Sequence, residues 1–350
     1  MQRQEGQEQV HGGDIYRHQN VTDFSVNSNP LGPPEAVIEV LREGAGQIHH
    51  YPDVECEKLR EAIGAFEQVH PEEILCGNGA AELFFAAVFA EGPRRGLLTA
   101  PAFAEYERAL QAVGAKSEFY PLREEDQFQV GEDFLERITP KTDLVFLCSP
   151  NNPTGQPIKR SLIRKVLEKC EACGARLILD ECFLDFLERP KEYEALELKK
   201  DHPQMLVVKA FTKTFAMPGV RLGYGISGDR EFLERMGTML QPWNVSLLAQ
   251  AGGVAALKNA EAYLAKTRQM VAHEREYLRK NLEDLGFQVY GSQANYVFFR
   301  GREGLYREAL EAGFLIRDCG NYRELGPGYY RIAVRKRAEN ERLIEWLRRS

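Results

Sequence analysis

Four short apolar runs constrain this chain most: GLLTA at 96–100, DLVFLC at 143–148, ARLILD at 175–180 and QMLVVKA at 204–210. All have the length of buried strands, and the first two lead into helix-compatible stretches, EYERALQAVG and RSLIRKVLEKCEAC. Such alternation predicts βαβ units with right-handed connections and a mostly parallel sheet covered on both faces. After YPD at 51–53, Leu59, Ile63 and Phe66 recur at helical spacing and predict an amphipathic helix around 54–68. With 350 residues, the chain suits a large α/β domain plus a smaller one.

Near Ser246 the pattern changes. A long helix-compatible stretch, 246–286, precedes strand-like FQVY and NYVFFR, then ALEAGFLIRDC, YYRIAVR and a closing amphipathic helix. The expected organisation is an N-terminal segment at 1–44, a large domain at 45–245 and a small C-terminal α/β domain at 246–350. NSNPLGPP makes the first segment turn-rich, and composition does not decide which domain it packs on.

In an open parallel sheet, ligands bind in the crevice outside the carboxyl ends of the strands. Here those ends carry APAFAEY, SPNNPTG, DECF and FTK, which converges Phe103, Asn152, Asp180 and Lys213 on one cleft. Each alone has an ordinary structural use: a core ring, a turn amide, a helix cap, a solvated lysine. Together they suit an aldehyde cofactor that forms a Schiff base with lysine. An acid would partner its pyridinium nitrogen and an aromatic ring would cover its face, as with pyridoxal phosphate. Gly77 and Gly79 in LCGNGAAELFFAAV open an apolar helix whose free N–H groups can take the phosphate, and Arg221 can add a bidentate contact.

Forty-five basic against 52 acidic side chains give a net charge of −7, which disfavours nucleic acid as a partner. No apolar run reaches membrane-spanning length, and the polar MQRQEGQEQV start does not resemble a secretory signal. Seven scattered cysteines read as reduced thiols of a cytoplasmic protein. Cys170-x-x-Cys173 reads as a helix end before a capping glycine, and His49-His50 lacks companion ligands, so no metal is expected. No G-x-G-x-x-G follows the first run, which argues against a dinucleotide-dependent dehydrogenase.

PNNPTG, LDECF and the TK of 212–213 with Arg221 eight residues on match, in order and spacing, the motifs of a known group. The chain resembles the fold-type I pyridoxal-phosphate enzymes of the class I/II aminotransferases. HGGD at 11–14, DFSVNSNPLGPP at 23–34, YPD, FAEYERAL at 103–110, QPWNVS at 241–246, ANY at 294–296 and YYRIAVR at 329–335 extend the likeness nearly end to end. Within the group it is most similar to the threonine-phosphate decarboxylases of cobalamin biosynthesis, relatives of the histidinol-phosphate aminotransferases.

The resemblance implies that Lys213 carries the cofactor covalently and handles protons, and that Asp180 stabilises the protonated pyridine nitrogen. Asn152 would bond the phenolic oxygen and Phe103 would stack on the ring. Gly79, Ala80, Ala81, Thr212 and Arg221 would hold the phosphate. Arg317 and Arg331 would take the substrate's anionic groups, with His11 closing over them. Tyr51 would reach the neighbouring subunit's cofactor in a homodimer with shared active sites. Two departures stand out. Ala210 occupies a position where many relatives carry Ser or Thr, and Phe183 stands where histidinol-phosphate aminotransferases usually carry Tyr. Phe183 with the HGG start favours decarboxylation of L-threonine O-3-phosphate to (R)-1-amino-2-propanol O-2-phosphate over transamination of histidinol phosphate.

Overall fold

The computed structural model describes residues 11–350, and the polar stretch read above as no signal segment lies outside the described residues. Strand β1 (Thr22–Asp23) stands apart from a central sheet of seven. These are β2 (Ile74–Gly77), β3 (Arg95–Ala100), β4 (Lys116–Pro121), β5 (Leu144–Cys148), β6 (Arg176–Asp180), β7 (Met205–Ala210) and β8 (Gly223–Ser227). Their order across the sheet is β2-β8-β7-β6-β5-β3-β4. Every pairing is parallel except the two made by β8, which runs antiparallel to both β7 and β2.

All residues of β5, β6 and β7 are buried, which is why they appear in the sequence as unbroken apolar runs. Their side chains alternate between two cores. Val145 and Leu147 join Leu59, Ile63, Ile163 and Val166 on one face; Leu144, Phe146 and Cys148 join Leu83, Leu110 and Phe232 on the other. The predicted helix around 54–68 spans Glu57–Glu67, its start fixed by Asp53, whose carboxylate accepts from the N–H groups of Glu55 and Glu57. Cys170 and Cys173 close the Arg160–Cys173 helix just before Gly174 (φ +72°), the helix-end position expected of them.

A second sheet comprises β9 (Gln288–Tyr290), β10 (Tyr296–Arg300), β12 (Arg317–Asp318) and β13 (Tyr329–Ala333), in the antiparallel order β12-β13-β10-β9. The stretch 246–286 is two helices, Leu247–Leu257 and Ala260–Asp284, because the backbone leaves the helical region at Asn259 (φ −129°). β1 pairs in parallel with β11 (Phe314–Leu315). Six residues past β1, Asn29 bonds the other side: its N–H donates to Lys213 O and its Nδ2 to Thr214 O. The N-terminal segment therefore bridges both parts of the molecule and lays residues 11–27 across the gap between them.

The lysine that ends the fourth apolar run, Lys209, is only 4 % exposed. Its Nζ donates to both oxygens of Glu67 (3.0 and 2.8 Å) and lies 3.6 Å from Glu194. Tyr224 also donates to Glu67. Burial alone would lower the ammonium's pKa, but Glu67, Asp185, Glu181 and Glu194 together hold it above its ordinary value. Lys209 is thus the internal counter-ion of an acidic cluster directly behind the turn that carries Lys213. Lys209→Met is expected to destabilise the protein by about 3–5 kcal/mol, read as a lower denaturant midpoint, because it strands buried carboxylates without a cation. An unchanged midpoint would contradict the pairing.

Candidate active site

The carboxyl ends of β3, β5, β6 and β7 lie along one edge of the sheet, and β8 starts there, Gly223 opposite Ala210. Above that edge opens a cleft of about 420 Å³. Its lining includes Ala80, Ala81, Phe103, Asn152, Asp180, Thr212, Lys213 and Arg221 from the large sheet's side, with Arg317, Arg331 and His11 opposite. The strand-end reading thus gathers four separate stretches of chain into one site. Tyr51 is not among them. It lies outside the cleft, 77 % exposed, its ring 4.5 Å from that of Trp243.

Gly79 caps the Ala80–Glu91 helix with φ +81°, and a Cβ there would stand 2.5 Å from Nη2 of Arg221. Only glycine allows both the backbone conformation and the guanidinium's approach. Gly223 is needed for the same loop, since its Cβ would meet Ala80 N at 2.6 Å. Together they press a helix N-terminus, with its unpaired N–H groups, against an arginine, an arrangement suited to a phosphate.

Lys213 sits on a single helical turn, Phe211–Thr214, immediately after β7. Burial, then the charges of Arg331 and Arg221, push its amine down to about 8, against the opposing pull of Asp180. The neutral amine is the nucleophile, and it predominates above that value. The rate at which the apoenzyme takes up pyridoxal phosphate covalently should rise with pH through about 8 and then level off. A rate still climbing far beyond it, as for an ordinary lysine, would contradict the perturbed environment.

Asp180 is not the cap of an α-helix. Its Oδ1 accepts the N–H of Cys182 (2.9 Å) and its Oδ2 accepts the hydroxyl of Tyr106 (2.5 Å). Burial raises its pKa, while Cys182, Tyr106 and the charge of Lys213 oppose that rise. Asn152 Oδ1 accepts from Nη1 of Arg331, which leaves its Nδ2 to donate elsewhere. Arg331, 5 % exposed, also donates from Nη2 to Ser25 O (2.7 Å). Arg317 Nη2 donates to Asn321 Oδ1 (2.9 Å), and His11 Nε2 lies 2.9 Å from Glu105, which also meets Arg108 at 2.8 Å.

Several lining residues escape a motif-based reading: Asn27, Glu105, Cys182, and Tyr106 behind the wall. Asn27 and Tyr106 fall inside family-like stretches, DFSVNSNPLGPP and FAEYERAL, so the segments were visible though the individual side chains were not. Phe183 lines the cleft and packs edge-on against Tyr296 (5.1 Å, 83°), whose hydroxyl is committed to Asn151 O (2.7 Å). Phe183 brings no hydroxyl to this wall; among the described residues the phenol lining the cleft is that of Tyr322, whose hydroxyl lies 3.5 Å from Asn152 Oδ1.

This donor set fits pyridoxal phosphate: an amine of lowered pKa, a buried carboxylate, a free amide N–H, an aromatic face and a helix N-terminus with arginine. Nε of Arg331 is also buried with no hydrogen-bond acceptor, a deficit an incoming anion would relieve. Ala210 lines the cleft without offering a hydroxyl, which leaves Thr212 as the hydroxyl of this turn on the cleft wall.

The profile described as aminotransferase class I and II matches residues 19–347. The chain is 38 % identical over 351 aligned positions to a threonine-phosphate decarboxylase of Salmonella typhimurium, covering 97 % of this chain and 96 % of that one. Among solved structures it resembles a histidinol-phosphate aminotransferase from Clostridium acetobutylicum (TM-score 0.87, 28 % identity, 94 % and 98 % of the two chains). It also resembles an L-threonine-O-3-phosphate decarboxylase from Porphyromonas gingivalis (TM-score 0.82, 26 % identity, 94 % of this chain and 99 % of that one). Both chemistries share this fold, so the backbone alone does not choose between them.

Proposed function

Because this chain belongs to the aminotransferase class I and II family, whose members work with pyridoxal 5′-phosphate, we propose that it decarboxylates L-threonine O-3-phosphate. The product is (R)-1-amino-2-propanol O-2-phosphate, a precursor of the cobalamin linker. The observation that carries the choice over transamination is Phe183, an apolar edge beside the cofactor position; full-length 38 % identity to a decarboxylase supports it. Phe183 offers no hydroxyl to the cofactor's phenolic oxygen, to which Asn152 Nδ2 would donate.

The bound cofactor supplies an electron sink for the pair left at Cα when a bond there breaks. Asp180 would place a negative charge beside the ring nitrogen and so favour a proton there. Phe103 would cover one face, and Gly79, Ala80, Ala81, Thr212 and Arg221 would hold the phosphate. Arg317 and Arg331 bind the substrate's phosphate and carboxylate, with His11 closing over them. By holding the substrate's anionic groups, the two arginines would set which Cα substituent is presented for cleavage and so select the reaction by orientation. CO₂ leaves from Cα, and the amine of Lys213 then delivers the proton that replaces it. Net, one C–C bond breaks and one C–H bond forms, without an external oxidant or reductant.

The active unit is a homodimer in which Tyr51 reaches the partner's cleft. Ile48, Tyr51, Val54, Met239 and Trp243 are large apolar side chains exposed on this chain, and their burial would favour such pairing. The seven cysteines are all free and mostly buried, consistent with a cytoplasmic setting. No helix among the described residues is long and apolar enough to cross a membrane. The test is a paired assay. Threonine phosphate should release CO₂ stoichiometrically with aminopropanol phosphate, whereas histidinol phosphate with 2-oxoglutarate should give little glutamate. Glutamate formation without CO₂ would reverse the assignment.

A further inference from the structure

Three side chains meet the cofactor ring in this reading, and two of them rest on one residue that does not touch it. Tyr106 lies on the Ala104–Ala112 helix that follows β3, while Asp180 ends β6; β5 separates those two strands. The phenol crosses over β5 to reach the carboxylate. Its ring stacks on Phe146 of that strand (5.0 Å, 13°) and its hydroxyl meets Asp180 Oδ2 at 2.5 Å. Phe84 packs against it edge-on from a second side (5.0 Å, 86°). Phe103, the face-covering ring, packs edge-on from a third (5.7 Å, 80°).

We propose that Tyr106 is a positioning residue for the cofactor ring: its hydroxyl fixes the carboxylate of Asp180 and its ring fixes the plane of Phe103. The inference rests on pyridoxal phosphate occupying this cleft. A buried tyrosine hydroxyl needs some partner, and Asp180 is an expensive one to choose unless the carboxylate itself is what must be held. Asp180 has two oxygens and two strong donors, Cys182 N–H and Tyr106 O–H, at 2.9 and 2.5 Å. Both stabilise the ionised form that burial disfavours. The phenol is itself kept protonated by burial and by the adjacent Asp180 charge, so toward the carboxylate it acts as the donor. Loss of that donor makes the carboxylate more basic, and it then competes with the ring nitrogen for the proton between them.

Tyr106→Phe removes one buried oxygen and keeps the three ring contacts, so it isolates the hydroxyl. The readout is the ring-nitrogen chemical shift of isotopically labelled pyridoxal phosphate bound to the protein. In the variant it should move toward that of unprotonated pyridine, with kcat reduced roughly 10–100-fold and KM little changed. In an Asp180→Asn background the same substitution should have almost no effect on kcat, because the two groups act as a unit. A shift identical to the native one, or equal losses in both backgrounds, would overturn the proposal. If the unaltered protein gave no bound-cofactor signal at all, this inference and the reading beneath it would both fall.

Discussion

Lys213→Ala is expected to lower turnover roughly 10⁴-fold while the fold survives. The local geometry explains both halves. The turn Phe211–Thr214 is held through the backbone, where Lys213 O accepts the N–H of Asn29 at 3.1 Å, and alanine keeps that bond. What disappears is an amine already pushed down to about 8 by burial and by Arg331 and Arg221. No other lysine lines the cleft among the described residues, so neither the covalent attachment nor the proton delivery has a substitute. The variant should bind pyridoxal phosphate non-covalently, melt close to the native temperature and regain part of its rate with an added small amine. Turnover within tenfold of native would remove Lys213 from the chemistry.

Asp180→Ala separates a chemical role from a structural one. Its carboxylate would stabilise positive charge on the ring nitrogen, and loss of such a buried electrostatic partner costs roughly 10²–10³-fold in kcat. Stability should change far less, by about 1–2 kcal/mol. Removing a buried carboxylate relieves its desolvation even as it strands Tyr106 O–H and Cys182 N–H. Kinetics and denaturant titration on the same preparation give both numbers. A large loss of stability with a proportionate loss of activity would make the role of Asp180 structural, held through Cys182 N–H and Tyr106 O–H.

The parts of this architecture that could be read from the sequence are those written by burial. β5, β6 and β7 are covered on both faces, so their apolar runs are unbroken and their carboxyl ends can be located, which brings Asn152, Asp180 and Lys213 to one edge. β8 could not be found in that way. Its sequence, GYGIS, carries two glycines that weaken a strand signal. At Gly223 the reason is contact: the backbone of the phosphate-side loop passes too close for any Cβ. The antiparallel insertion of β8 between β7 and β2 is a property of strand order, which no local pattern records.

Long-range polar pairs were equally hidden. Tyr106 and Asp180 are 74 positions apart, and Lys209 and Glu67 are 142 apart. Nothing local marks Lys209 as buried: the acidic neighbours that hold its charge come from other segments of the chain. Tyr51 shows a different limit. Its motif is legible, yet one chain leaves it exposed beside Trp243, and its proposed use depends on a second copy.

The most direct measurement is peptide mapping by mass spectrometry after the pyridoxal-phosphate-loaded enzyme is reduced with borohydride. The account predicts one modified residue, Lys213, carrying the reduced cofactor in nearly every molecule. A label on any other lysine, or a protein left unlabelled after saturation with the cofactor, would contradict it.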